Sequence, residues 1–159
     1  PVNLLADKAL KALEDTARQE EGLITLREIV DKYSSYKNSS QVLALMAAIT
    51  QPEDVTIAPE RIKKLRKQTA DVVQRNARRA HELAKMAVDA DPQCYQALYE
   101  LATDYAAGEQ RTGESSEPNY KEALKMYKEG LGYAQKKGDS EYITLFNTRI
   151  EQVQFNSQE

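Results

Sequence analysis

The sequence predicts an all-α fold of about seven helices, and three observations support this prediction. The 159 residues include only six glycines and five prolines, so long stretches lack turn residues. Twenty alanines allow helices to pack closely with little loss of side-chain entropy. Apolar residues recur with the 3.6-residue spacing of amphipathic helices. A β-sandwich or barrel is excluded, because it needs turn signals about every 8–12 residues.

The N-terminal part of the chain predicts three helices of unequal length. The first two are expected over 3–17 and 23–35, with Gly22 between them. A third is expected over 41–50, where apolar residues lie nearly all round the helix. Such a helix is expected to be heavily buried.

Residues 59–89 predict one long central helix. Pro59 suits the first turn of a helix, and the apolar residues that follow keep a helical phase with no breaker before Pro92. At 1.5 Å per residue the helix would be about 45 Å long. The alternative is a tight turn near 74–76 that splits it, but the unbroken phase favours the single helix.

Three further helices complete the prediction, over 93–107, 118–136 and 141–154. The segment 109–117 contains no apolar residue and is expected to form an exposed loop. Gly138 is expected to end the helix before it, as glycine often does.

Small, aliphatic and aromatic residues, with one proline, recur at fixed spacing between positions 76 and 137. In chain order these are Ala80, Ala84, Ala87, Pro92, Leu98, Leu101, Ala102, Tyr105, Ala123, Tyr127 and Gly130. The small residues would let helices approach closely, and the tyrosines would fill the gaps between them. The pattern resembles about one and a half tetratricopeptide (TPR) repeats, each a pair of helices.

The chain departs from the TPR pattern at several points. Before Ala80, Lys67, Gln68 and Asp71 stand where Leu, Gly and Tyr would sit. About nine residues more than the 34-residue period allows separate Tyr105 from Ala123. Gln135 stands where a proline would close the last repeat. We therefore expect irregular flanking helices around a TPR-like core.

The resemblance implies a right-handed array of helical hairpins, within the single domain that the length suggests. This domain, 1–159, would consist of degenerate N-terminal helices over 1–58, a TPR-like core over 59–137 and a C-terminal capping helix over 139–154.

TPR proteins bind segments of other proteins on the concave surface formed by the first helix of each repeat. The resemblance would place four residues of this chain on that surface, namely Gln96, Tyr99, Thr103 and Ala106. TPR members that grip a chaperone's C-terminal carboxylate use Lys, Asn and Arg at such positions, so this kind of clamp is not expected. Tyr99 has a second interpretation, which is packing against the neighbouring helix.

A concentration of positive charge gives an alternative function. Residues 60–85 carry nine Lys and Arg against three acidic residues, in a chain of net charge −3. On a single helix the cations on one side would be Lys64, Lys67, Arg75, Arg78 and Lys85. They predict either binding of nucleic acid or an anionic surface through the basic helix 61–85, or a solvated helix face. No aromatic residues interleave with them, which argues against single-stranded nucleic acid.

The sequence shows no pattern typical of catalysis, metal binding or cofactor binding. The single histidine, His81, is expected on a helix surface among cations. The single cysteine, Cys94, excludes an internal disulfide and favours the cytoplasm or another reducing compartment. No apolar run is long enough to span a membrane, and Pro1–Leu5 does not resemble a signal peptide. We therefore expect a non-enzymatic protein without cofactors that binds another protein or peptide.

Overall fold

A computed structural model of the chain describes residues 40–52, 58–70, 73–108 and 118–157, together with Glu21 and Glu28. Within this part there are six helices: α1 (Ser40–Thr50), α2 (Glu60–Gln68), α3 (Ala77–Ala90), α4 (Tyr95–Ala107), α5 (Tyr120–Lys137) and α6 (Ser140–Ser157). The described residues contain no strand, so the all-α prediction is confirmed for them. The helices predicted over 3–17 and 23–35, and the loop predicted over 109–117, lie outside the described residues.

The prediction of one long helix over 59–89 is wrong, because α2 and α3 are separate helices. At the start of α3 the backbone of Asn76 is extended (φ −159°), and its side chain accepts a hydrogen bond from the Arg79 amide at 2.9 Å. The Asn76 amide itself donates to the Thr50 carbonyl at 2.8 Å. The N-cap hydrogen bond and the hydrogen bond to the end of α1 therefore stabilise the break between α2 and α3. The break between α2 and α3 includes the alternative turn near 74–76.

The helices other than α2 are arranged in two layers. The bond between Asn76 and Thr50 joins the start of α3 to the end of α1, and an Asn119–Tyr105 bond of 2.8 Å joins the start of α5 to the end of α4. Each of these two helix pairs is therefore antiparallel. Short connections join α3 to α4 and α5 to α6, which makes these neighbours antiparallel too. As a result α1, α4 and α6 run in the same direction and form one layer, with α1 touching α4 and α4 touching α6. The second layer consists of α3 and α5.

Two apolar clusters form the core. The first joins α1, α2 and α3 to the beginning of α4, and it includes the fully buried Leu43 and Ile49. The second joins α4, α5 and α6, and its largest buried residues are Tyr99, Tyr127 and Phe146. Among the described helices, only α4 contributes buried residues to both clusters. The prediction that the helix over 41–50 is heavily buried is confirmed, since Val42–Thr50 are all buried.

The ends of α5 and α6 follow from their local sequences. The Asn119 side chain accepts a hydrogen bond from the Glu122 amide at 3.1 Å and so caps α5. Gly138 has the left-handed backbone (φ 70°) that ends α5. Asp139 then accepts a hydrogen bond from the Tyr142 amide at 3.2 Å at the start of α6. No helix in the described part of the chain has both the length and the apolar character needed to cross a membrane.

Candidate functional site

The structure places Tyr99 in the core, so this residue does not form part of an open groove as the resemblance implied. Its side chain is 2% exposed, and its ring packs against Tyr127, Tyr142 and Phe146. Its hydroxyl accepts a hydrogen bond from Arg149 Nε at 3.0 Å. The alternative interpretation of Tyr99, packing against a neighbouring helix, is confirmed.

Thr103 and Ala106 lie next to Tyr99 on the same side of α4. The Thr103 hydroxyl donates to the Tyr99 carbonyl at 2.8 Å and lies 2.7 Å from the Tyr127 hydroxyl. Because the single Thr103 hydroxyl proton is used in the first bond, the Tyr127 hydroxyl is the donor in the second. Ala106 packs against the same cluster. Tyr99 is thus buried among α4, α5 and α6, while Thr103 and Ala106 are half-buried beside it.

The fourth predicted residue, Gln96, lines a cavity of about 260 Å³. Three helices of one layer, α1, α4 and α6, surround this cavity, and α2 borders it as well. On the α1 side its wall is mainly apolar, formed by Ala44, Leu45 and Ala48 together with Gln41.

The rest of the cavity wall is mixed, and it includes three acidic residues. Glu100 comes from α4, Asp139 from the α5–α6 connection and Glu141 from the first turn of α6, whereas α2 contributes one cation, Arg61. Asp139 accepts a hydrogen bond from the Tyr95 hydroxyl at 2.8 Å, which fixes it at the cavity edge. The cavity therefore combines an apolar wall with three carboxylates.

Glu100 connects the cavity to a polar network in the interior. Gln51 Nε2 lies 3.2 Å from Asp104 Oδ1 and 3.4 Å from Glu100 Oε2, and it donates to both carboxylates. Burial, reinforced by the neighbouring Asp104 carboxylate, raises the pKa of Glu100 to about 7. Burial also raises the pKa of Asp104, against the hydrogen bonds that favour its charged form. The Glu100 carboxyl is thus costly to ionise.

His81 is part of the same network, and the prediction that it lies on the surface is wrong. Its side chain is buried, and its Nδ1 lies 3.0 Å from Asp104 Oδ2. Its ring meets the Tyr105 ring edge to face, with the centroids 5.8 Å apart. Its Nε2 has no hydrogen-bond partner in the described part of the chain. His81, Asp104 and Gln51 thereby connect α3, α4 and the end of α1.

The five residues predicted to form one basic face do not share a helix. Lys64 and Lys67 are exposed on α2, whereas Arg78 and Lys85 are exposed on α3. Arg75 lies between the two helices, where its guanidinium donates to the backbone carbonyls of Ile49 and Arg66. The single helical projection behind this prediction therefore does not apply, and Arg75 acts in packing.

No family model, no curated protein and no solved structure matches the chain. Among the described residues no group of three or more His, Cys, Asp or Glu side chains is placed to hold a metal ion. Cys94 is a free, buried thiol whose pKa is raised by burial. The cavity between α1, α2, α4 and α6 is thus the feature of the described residues that best fits a binding site.

Proposed function

We propose that the chain is a non-enzymatic protein-interaction module, which binds a segment of a partner protein in the groove between α1, α4 and α6. The observation that carries this function is the cavity of about 260 Å³ within that layer. Pockets for small molecules and cofactors span about 300–1,000 Å³. A cavity slightly below this range, open at the surface of a helical layer, suits one or two side chains of a bound peptide.

The helix arrangement supports a TPR-like interpretation of this groove. Antiparallel pairs formed by α1 with α3 and by α4 with α5 are stacked so that the first helices of the pairs touch each other. In a TPR array the concave surface is formed by these first helices. The cavity is bordered by α1, α4 and α6, which occupy the corresponding layer.

The groove as we now define it differs from the one predicted on α4 alone. It keeps Gln96 and replaces the buried Tyr99 with Glu100, which lines the cavity. Apolar residues of α1 would contact the stems of the partner side chains, while the polar rim would set their orientation.

A pair of charge variants tests this function against binding by the basic residues. Gln96→Arg introduces a larger side chain and a positive charge into the cavity and is expected to abolish capture of the partner by the tagged chain. The triple variant Lys64→Glu, Lys67→Glu, Arg78→Glu changes only exposed cations and is expected to leave capture nearly intact, because exposed charges mainly alter association rates. Capture is measured by pull-down and mass spectrometry at low and high salt.

The opposite outcome would support the alternative function. If the triple variant loses a salt-sensitive nucleic acid and Gln96→Arg retains it, the exposed cations of α2 and α3 form the binding surface and the groove does not. Circular dichroism of both variants, compared with the parent chain, shows whether a loss of capture reflects unfolding.

A further inference from the structure

Helix α2 lies against the proposed groove and forms part of its wall. Pro59, Arg61 and Ile62, at the beginning of this helix, line the cavity together with residues of α1, α4 and α6. The backbone amide of Glu60 donates a hydrogen bond of 3.0 Å to Glu141 Oε2, so the first turn of α2 is bound to the first turn of α6. A segment of this same chain therefore occupies the edge of the site.

The packing of α2 is that of an amphipathic helix on a surface. Its two apolar side chains, Ile62 and Leu65, are 9% and 2% exposed and join the core cluster around α1. Arg66 Nη1 donates to the Ala48 carbonyl at 2.8 Å. With nine residues, α2 is too short to be a stable helix by itself. Its helical structure therefore depends on this surface.

One cation of α2 is complementary in charge to the groove. Of the five cationic residues in the α2 sequence ERIKKLRKQ, Lys63 pairs with Glu60 at 3.0 Å and Arg66 donates to the Ala48 carbonyl. The groove contributes the carboxylates of Glu100, Asp139 and Glu141, and Arg61 is the cation of α2 that lines the cavity with them. The apolar wall on α1 and the carboxylates beyond it suit the aliphatic stem and charged head of an arginine or lysine.

We propose that α2 closes one side of the groove from within the chain, and that the partner segment is a basic amphipathic helix that displaces α2 and places an arginine or lysine in the cavity. This occupancy rests on the proposed function, since it names the class of segment that the groove binds. The free chain is then partly closed, because a partner must displace α2 before it binds. The apparent affinity is lowered by the fraction of molecules in which α2 is in place.

A peptide added in trans tests this occupancy without the natural partner. The probe is a fluorescein-labelled synthetic peptide with the sequence of residues 58–70, and binding is measured by fluorescence anisotropy. In the full chain, Arg61→Glu places a carboxylate beside those of the groove, and the charge repulsion weakens the packing of α2 against the groove. Arg61 is exposed, so the core is unchanged. We expect this variant to bind the wild-type peptide about tenfold more tightly than the parent chain does.

Two matched controls make the result specific. Lys67→Glu makes the same charge change on an exposed residue of α2 that does not line the cavity, and this chain is expected to bind the peptide as weakly as the parent does. The probe carrying Arg61→Glu is expected not to bind the Arg61→Glu chain. Hydrogen exchange at the α2 amides of that chain, expected to be faster than in the parent, reports the release of α2 directly.

The occupancy is overturned if Arg61→Glu gains no affinity for the peptide, or if Lys67→Glu gains as much. In that case capture of a partner that remains sensitive to Gln96→Arg still supports the proposed function. Conversely, if the peptide binds as expected but capture is insensitive to Gln96→Arg, the groove accepts α2 and the proposed function fails.

Discussion

Glu100 is an acidic residue that the fold keeps partly buried on the cavity wall, one helical turn from Asp104. Its pKa is raised from 4.5 to about 7, chiefly by burial and then by the Asp104 charge. Arg149 and Arg66 oppose this shift, as does the hydrogen bond from Gln51. A carboxyl whose pKa is higher in the folded state favours folding while it is protonated. Its contribution is therefore complete below pH 4.5 and is lost as the pH rises from 4.5 through 7.

Glu100→Gln is expected to remove this pH dependence, because an amide does not ionise. Relative to the parent chain, the variant should gain about 3 kcal/mol in free energy of unfolding between pH 4.5 and pH 8. Urea denaturation of both proteins at the two pH values measures the gain. If the free energy of unfolding changes equally between the two pH values in both proteins, Glu100 is not the group that titrates.

Two glycines of α5, Gly130 and Gly132, are separated by one residue but have different surroundings. A Cβ atom at Gly130 would lie 2.4 Å from Cζ of Phe146, a ring that is fully buried, whereas a Cβ at Gly132 would have no atom within 4 Å. Gly130→Ala should therefore lower the free energy of unfolding by about 1–3 kcal/mol, through overpacking. Gly132→Ala should raise it by about 0.5–1 kcal/mol, because alanine favours the helix. Thermal denaturation measures both changes. If the free energy of unfolding changes in the same direction in both variants, this packing is contradicted.

At the residue level the sequence predicts small residues at close contacts better than it predicts which polar residues are buried. Ala102, Ala123 and Tyr127, all in the recurring pattern, are buried where α4 meets α5. His81 and Asp104 could not be predicted as a buried pair, because each is polar and they are 23 positions apart. Their burial depends on tertiary packing of α3 against α4, which helical periodicity does not specify.

At the scale of helices, Arg75 shows how the break between α2 and α3 is stabilised. Its guanidinium donates to the Ile49 carbonyl at the end of α1 and to the Arg66 carbonyl in the last turn of α2. One side chain thus satisfies carbonyls of two helices where they meet the start of a third.

Arg75→Ala is expected to lower the free energy of unfolding by about 2–3 kcal/mol, because two carbonyls lose a charged donor. Arg78→Ala, at an exposed position in the first turn of α3, serves as the control and should change it by less than about 0.5 kcal/mol. Chemical denaturation measures both. Equal losses of free energy of unfolding in the two variants would show that the hydrogen bonds of Arg75 do not stabilise the fold.

The break itself could not be inferred from hydrophobic periodicity. Apolar residues of α2 and α3 both bury against α1, so the pattern keeps its phase across the connection. The local signal was Asn76, a good N-cap residue, but an asparagine inside a long periodic segment does not require a break. The tertiary hydrogen bond from the Asn76 amide to the Thr50 carbonyl stabilises the break.

At the scale of the whole molecule, α4 is the helix through which the two core clusters are connected. Stability in stacked helical pairs is approximately a sum of local terms and contacts between neighbours. A substitution in one cluster should therefore weaken that half of the described structure more than the other.

Phe146→Leu tests this division, with Leu43→Ala as its counterpart in the other cluster. Native-state hydrogen exchange of the first variant should accelerate at amides of α5 and α6 more than at those of α1 and α3, and the second should show the reverse. Each half should lose about 1–3 kcal/mol of local protection. Uniform acceleration in both variants would indicate a single cooperative unit.

Much of the architecture in the described part of the chain follows from the sequence, and the position of the cavity does not. Helices α1, α4, α5 and α6 lie within a few residues of their predicted bounds, because periodicity, Asn119 and Gly138 are local signals. The cavity brings together residues from positions 41 to 142, and only Gln96 among the predicted groove residues lies in it. Its formation depends on the placement of α2, which begins where a continuous helix was expected.

The ring cluster in the C-terminal half has a consequence for optical spectroscopy. The chain has no tryptophan, and Tyr99, Tyr127, Tyr142 and Phe146 are packed ring against ring at centroid distances of 5.3–6.3 Å. Burial raises the pKa of all three phenols, so their hydroxyls stay protonated in mildly alkaline solution while the cluster is intact. Near-ultraviolet circular dichroism and phenolate absorbance therefore report mainly on α4, α5 and α6, whereas the far-ultraviolet signal comes from every helix. The protein thus carries an intrinsic, label-free reporter for one of its two halves.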